Sequence, residues 1–235
     1  MRFVFIDEIE QHRKDKNFFG IGLFSIDSVF YQSLCGNFKK HFRDCGWDNN
    51  IEFKGKYLFS QKGDGCIPVD KRIGLVNNIA SSTVAKKNSK TNFVFIFNKN
   101  GKTKENYFLL VSHAIGMLNK KAKSSGKNLV AVYYDSIELF KPNELSQVTE
   151  EVLSKKDLYQ VELPCPLNSC NTTIGLIYCD VLSYLASWHV LSPQTDESEQ
   201  ASLFELTKGE RDKEKLAKIR EILANVKSIK TKEIS

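Results

Sequence analysis

Four short runs rich in β-branched and aromatic residues, Phe3 to Ile6, Phe18 to Ile26, Phe93 to Phe97 and Leu129 to Tyr134, share the chain with segments of helical period. That mixture restricts the fold more than any other feature, because runs of strand length bounded by polar residues predict buried strands. "IEFKGKYLF" from Ile51 and "LYQVEL" from Leu158 alternate apolar with polar residues and predict half-exposed strands. Phe30, Leu34, Phe38 and Phe42 recur every fourth residue and predict a helix capped by Asp27 or Ser28. Val69, Ile73, Val76, Ala80 and Val84 mark a second helix. Tyr107, Leu110, Val111, Ala114, Met117 and Leu118 mark a third, ended by a basic run and Gly126. Leu145, Val148 and Val152 mark a fourth with Pro142 in its first turn, and a fifth runs from about Thr173 to Val190. Strands interleaved with helices predict an α/β sheet. The first two strands are separated mainly by the polar "EQHRKDKN" and predict a hairpin. The expected fold is therefore α/β, a mixed sheet with an N-terminal antiparallel hairpin and later parallel strands, flanked by helices.

A chain of 235 residues can hold one sizeable core with an appendage. Residues 1–191 read as that domain. After Leu191 comes the polar, acidic "SPQTDESEQ", then "LFEL" and a charged helix at about 210–227 with a narrow stripe of Leu216, Ile219, Ile222, Leu223 and Val226. Residues 192–235 therefore read as a polar linker and a helical appendage whose stripe would dock on the parent domain, a protein partner or a second copy. An apolar fraction of 41% with 16 Phe and 8 Tyr excludes a largely disordered chain. No run approaches the ~20 apolar residues of a membrane span, and no secretory signal pattern opens the chain, so a soluble cytoplasmic protein without membrane contact is expected.

The six Cys form no C-x-x-C pair and have no His at zinc-finger spacing, so reduced thiols are expected. Lys and Arg number 34 against 28 Asp and Glu, a net charge of +6 that suits a phosphate-bearing partner without requiring one.

Acids occur where charge is least expected. Asp7 follows the apolar run Phe3 to Ile6. Glu52 sits in "NIEFKGKYLF", Asp135 follows "LVAVYY", and Asp180 interrupts the fifth helix. A buried carboxylate needs a cation, a donor or a metal nearby. Parallel neighbouring strands lie ~4.8 Å apart and would bring Asp7 and Asp135 together, and a divalent cation such as Mg²⁺ or Mn²⁺ would relieve their repulsion. With Glu52 and Asp180 added, the oxygens suffice for two cations ~3.5 to 4 Å apart, the arrangement used in phosphodiester cleavage. Lys54, on the same strand face as Glu52, could neutralise a phosphate. Bland readings exist beside these. Asp7 and Asp135 could cap turns, and Glu52 with Lys54 could form a solvated face. His113 reads as a core residue and His12 and His41 as surface residues, while "QKGDGC" lacks the ending of a phosphate-cradling loop.

The order of "FIDE" at the start, "EFKG" near residue 52, a strand ending in Asp135 and a late helix "IGLIYCDVLSYLA" resembles the bacterial and phage family called domain of unknown function 3800, in the ribonuclease-H-like group. The resemblance spans roughly residues 1–191. It implies a ribonuclease-H-like sheet and a metal-dependent nuclease, with Asp7, Glu52, Asp135 and Asp180 as catalytic metal ligands and DNA or RNA as partner. The family's opening usually reads Asp-Glu-Ser-Gly, where this chain has Ile9 and Glu10 after Glu8. Its helix commonly carries Gln where this chain has Ile177. A catalytically idle module that engages nucleic acid or a protein is the alternative.

Overall fold

The computed structural model describes residues 1–13, 16–48, 51–57, 67–84, 91–118, 128–135, 139–167, 173–191, 217, 218, 220–222, 224 and 229–234. Strands β1 (Arg2–Arg13) and β2 (Lys16–Asp27) form the expected hairpin, in register from Arg2 opposite Asp27 to Arg13 opposite Lys16. Helix α1 (Ser28–Cys45) follows, then a single helical turn at Gly55–Tyr57, helix α2 (Val69–Val84), strand β3 (Thr91–Asn98) and helix α3 (Lys104–Gly116). Strand β4 (Asn128–Asp135), helix α4 (Pro142–Ser154), short strands β5 (Leu158–Gln160) and β6 (Cys165–Leu167), helix α5 (Ile174–Leu191) and strand β7 (Lys230–Glu233) complete the described elements.

The sheet order is β5-β4-β1-β2-β3-β7, with β6 also paired to β4. β2 runs antiparallel to both β1 and β3, whereas β4 is parallel to β1 and β5 is parallel to β4. An antiparallel three-strand meander is continued by parallel strands beside β1, so the mixed α/β sheet has the N-terminal hairpin and the parallel β4 that the sequence predicted, while β3 extends the antiparallel part beyond the hairpin.

The pleat sorts the strands' side chains onto two faces. Val4, Ile6, Ile21, Leu23, Val94 and Ile96 point to the layer of α3 and α4. Phe5, Phe24, Phe93 and Phe95 point to the layer of α1, α2 and α5. Sheets buried on both faces read as continuous apolar runs rather than alternating ones, which is why "FVFIF" shows no alternation.

α5 carries the most contact with β1 and β2, and 67% of it is buried, although its length and composition would also suit a membrane span. Glycines let it lie close. A Cβ added at Gly22 on β2 would stand 1.8 Å from Ser183 Oγ, and one added at Gly175 would stand 2.3 Å from Phe5 Cζ. Cys179 Sγ donates to the carbonyls of Phe5 at 3.4 Å and Gly22 at 3.2 Å, tying the helix to the strand pair.

Several expectations need correction. "IEFKG" is not a strand: residues 51–54 have no regular structure and lead into the turn Gly55–Tyr57. Phe53 is buried in the core while Glu52 and Lys54 keep part of their surface open, so the alternation was real but belongs to an anchored loop. Asp7 does not end its strand, because β1 continues along β2 to Arg13. Asp27 occupies the cap position of α1 without a capping hydrogen bond from its side chain, and instead faces Arg2 at 3.5 Å. His113 lies half-buried near Lys232 of β7 rather than in the core.

Pro142 begins α4 as expected. β6 is too short, and β7 too short and polar, to announce itself. β7 returns the chain's end to the sheet beside β3, and Ile222 is buried against the α1, α2 and α5 core. Lys86, Lys87, Lys120, Lys121, Lys123, Gly126, "QKGDGC", the linker "SPQTDESEQ" and Leu216, Ile219, Leu223 and Val226 of the expected C-terminal stripe lie outside the described residues.

Candidate functional site

Asp7 and Asp135 stand side by side for a topological reason. The parallel pairing of β1 with β4 runs from Arg2 opposite Val130 to Ile6 opposite Tyr134, and each Asp is the next residue on its strand. Both follow the pleat of Phe5 and Tyr133, so both point to the α5 face. Glu8 alternates to the other face, where it pairs with Lys102. The adjacent carboxylates of "FIDE" are thus separated by the sheet, and only Asp7 faces α5.

α5 brings Asp180 to this point, one residue after Cys179 has fixed the helix to Phe5 and Gly22, the latter directly opposite Asp7 in the hairpin. The turn Gly55–Tyr57 that follows α1 packs against α5 here. Gly55 N–H donates to Asp180 Oδ2 at 2.5 Å, and a Cβ at Gly55 would stand 2.6 Å from Tyr184 Cβ and 3.2 Å from Val181 Cα. Only glycine lets that N–H come so close. Glu52 and Lys54 ride on the same loop, with Lys54 Nζ 3.2 Å from Glu52 Oε2.

Burial and mutual charge act on these groups together. Burial, then the charges of Asp180 and Asp135, push the Asp7 carboxyl well above the usual carboxylate range. Asp7 is 7% exposed and, among the described residues, accepts one hydrogen bond, from Glu8 N–H at 2.9 Å. Asp180 is pushed up to about 6, chiefly by burial and further by Glu52 and Asp135, while the Gly55 N–H and Lys54 work the other way. Burial works to lower the Lys54 ammonium, but Glu52, Asp180 and Asp135 outweigh it and hold it above the ordinary lysine range.

Asp7, Glu52, Asp135, Asp180 and Lys54 therefore share one electrostatic neighbourhood. Among the described residues, no group of three or more His, Cys, Asp and Glu side chains is already drawn to a common point as a metal cage. In donor chemistry the set fits a hard divalent cation: every acid offers oxygen, and the most buried of them faces two other acids. Ile177, at the position where the resemblance leads one to expect Gln, is 3% exposed within the core and offers the site no polar group. His189 is exposed, and the described Cys35, Cys45, Cys165 and Cys179 are free thiols.

Gly55 and Gly22 were not singled out from sequence. The signal for Gly22 was present, since a glycine inside an apolar strand marks close approach of another backbone or helix.

No protein-family model matches the chain, and no curated protein matches it. Among solved structures, the chain is similar to ribonuclease H2 from Pyrococcus horikoshii OT3, at 11% identity, over 94% of this chain and 100% of that one, with a TM-score of 0.45. Strand order and direction establish the architecture independently of that similarity.

Proposed function

We propose that the protein is a metal-dependent nuclease that hydrolyses phosphodiester bonds in DNA or RNA, and that it belongs to the domain of unknown function 3800 family that its motif order resembles. The observation that carries this reading is Asp7: a carboxylate almost fully buried, facing Asp180 and Asp135 as its strongest charged neighbours. Such an arrangement is unfavourable for a metal-free protein and favourable for one that binds a doubly positive ion.

Asp7, Asp135, Asp180 and Glu52 would hold Mg²⁺ or Mn²⁺, with room in the donor count for two ions. When bound, the metal would supply an activated water and stabilise the leaving oxygen. This chain's own part is to present oxygens that a strand pair and a helix hold in place. Lys54, kept protonated by its acidic neighbours, supplies positive charge for a phosphate.

Asp180→Asn tests the proposal. The amide oxygen can still accept from Gly55 N–H, so the fold should survive. Mn²⁺ uptake measured by calorimetry should fall more than about tenfold, and metal-dependent cleavage of a mixed DNA and RNA substrate pool should be lost. Wild-type cleavage by the variant would reject the assignment.

Ile177, buried and apolar where the resemblance leads one to expect Gln, favours a second reading, a ribonuclease-H-like module whose acids no longer serve catalysis and which engages nucleic acid or a protein partner. On that reading, calorimetry of the wild-type protein should register neither Mg²⁺ nor Mn²⁺.

A further inference from the structure

Glu52 and Lys54 sit on a stretch that no strand ladder or helix holds, yet Gly55 at its end is bound to Asp180 through its N–H. Something else must fix the loop. Directly after the left-handed Gly46 that ends α1, Trp47 turns inward and is 4% exposed. Its indole Nε1–H donates to the carbonyl of Ile51 at 2.8 Å. Its ring meets Phe53 edge to face, with centroids 4.8 Å apart and planes at 87°. Phe42 from α1 closes the cluster, packing edge to face on Phe53 at 6.2 Å and tilted on Trp47 at 6.5 Å.

The indole therefore grips both sequence neighbours of Glu52, the carbonyl on one side and the ring on the other. Phe53 is also the residue before Lys54. Edge-to-face pairs and a buried indole hydrogen bond are directional, so they set the orientation of the backbone as well as its position. A merely apolar plug would not.

We propose that Trp47 is a positioning residue that aims Glu52 and Lys54 at Asp180, acting through Ile51 and Phe53 without touching the carboxylates itself. The inference rests on the metal-centre reading above, because it is the cation that makes the aim of Glu52 measurable. Residues that orient metal ligands from behind commonly change metal affinity about 10- to 100-fold when altered.

The test is a double-mutant cycle. Trp47→Phe keeps an aromatic ring but removes the Nε1–H. It should weaken Mn²⁺ binding by roughly tenfold in calorimetry, the low end of the range for such groups. In a Glu52→Gln background the same substitution should change Mn²⁺ affinity by less than about twofold, since the residue through which it acts no longer contributes a charge. A purely structural role would instead give the same change in both backgrounds. Phe53→Leu, which removes the edge-on partner and leaves the indole, should show the same dependence on Glu52 and serves if Trp47→Phe does not fold.

Equal Mn²⁺ affinity of Trp47→Phe and wild type would overturn the inference and leave the metal centre standing, as would a tenfold loss that persists in the Glu52→Gln background. Failure of the wild-type protein to bind Mn²⁺ would overturn both.

Discussion

Asp7→Asn should abolish metal-dependent cleavage and, in the same protein without metal, raise stability at neutral pH. The two effects have one origin. Asp7 is 7% exposed, and its negative charge is opposed by burial first and by Asp180 and Asp135 next. Neutralising it at nearly constant shape removes an uncompensated buried charge, which is worth on the order of 1–3 kcal/mol. For a chain of this length that corresponds to a rise of about 2–4 °C in Tm per kcal/mol. The same change removes an oxygen donor that carries charge from the centre of the proposed metal set, so cleavage should fall by more than about 100-fold. Thermal denaturation in EDTA and a cleavage assay in Mn²⁺ measure the two halves separately. An Asn variant that is less stable than wild type without metal would reject the electrostatic account even if cleavage were lost.

The pH dependence follows with a definite sign. Both Asp7 and Asp180 have folded-state pKa values raised above the ordinary 3.8, Asp180 to about 6. Between those limits the folded protein holds protons that the unfolded chain has released, so stability falls as pH rises through this window. Below about pH 4 the groups are protonated in both states and the penalty vanishes; above the folded pKa it is present in full. The advantage of Asp7→Asn without metal should therefore be near zero at pH 4 and should have grown by pH 8. A divalent cation should offset the loss at high pH in wild type and have little effect on the variant.

Much of this was readable from residues. The apolar runs gave the central strands because those strands are covered on both faces, and burial on both faces leaves no polar position to blur the run. Asp7, Asp135 and Asp180 could be picked out for the complementary reason: charge inside an apolar context has to be compensated by something. Glu52 and Lys54 lay in a less legible place. Alternation along "IEFKG" was correct, since Phe53 points to the core and its neighbours do not, but two residues of alternation do not distinguish a strand from a loop pinned by aromatic packing. That difference is set by Trp47, which no local periodicity reports, and by Phe42, whose helical spacing places it on α1 without showing that it meets Phe53. β7 was illegible because "KTKE" has no apolar side chain to place it; its position comes from backbone pairing with β3 and from Ile229 and Ile234 on either side.

The seat of α5 yields the remaining test. Gly22→Ala would put a methyl group 1.8 Å from Ser183 Oγ, a distance that the packed interface cannot hold, and 3.1 Å from Ser183 Cβ. Ser183 is not free to swing away at no cost, since its hydroxyl donates to Cys179 O at 2.7 Å and the side chain is 1% exposed. In isolation, alanine would improve a strand position by up to about 1 kcal/mol through lower chain entropy. Overpacking a core costs about 1–3 kcal/mol and should win. Relief would come from lifting α5 off β2, and because Asp180 follows Cys179 on that helix, the carboxylate would move away from Asp7. Gly22→Ala should thus lower both thermal stability and Mn²⁺ affinity. Ser183→Ala, introduced into the same variant, removes the oxygen that clashes and should recover most of both losses, although alone it costs up to about 1.5 kcal/mol for the hydrogen bond. If Gly22→Ala destabilises the protein and Ser183→Ala makes matters worse by its full separate cost, the two side chains do not compete for space, and the close seating of α5 beside Asp7 is not what holds Asp180 in the cluster.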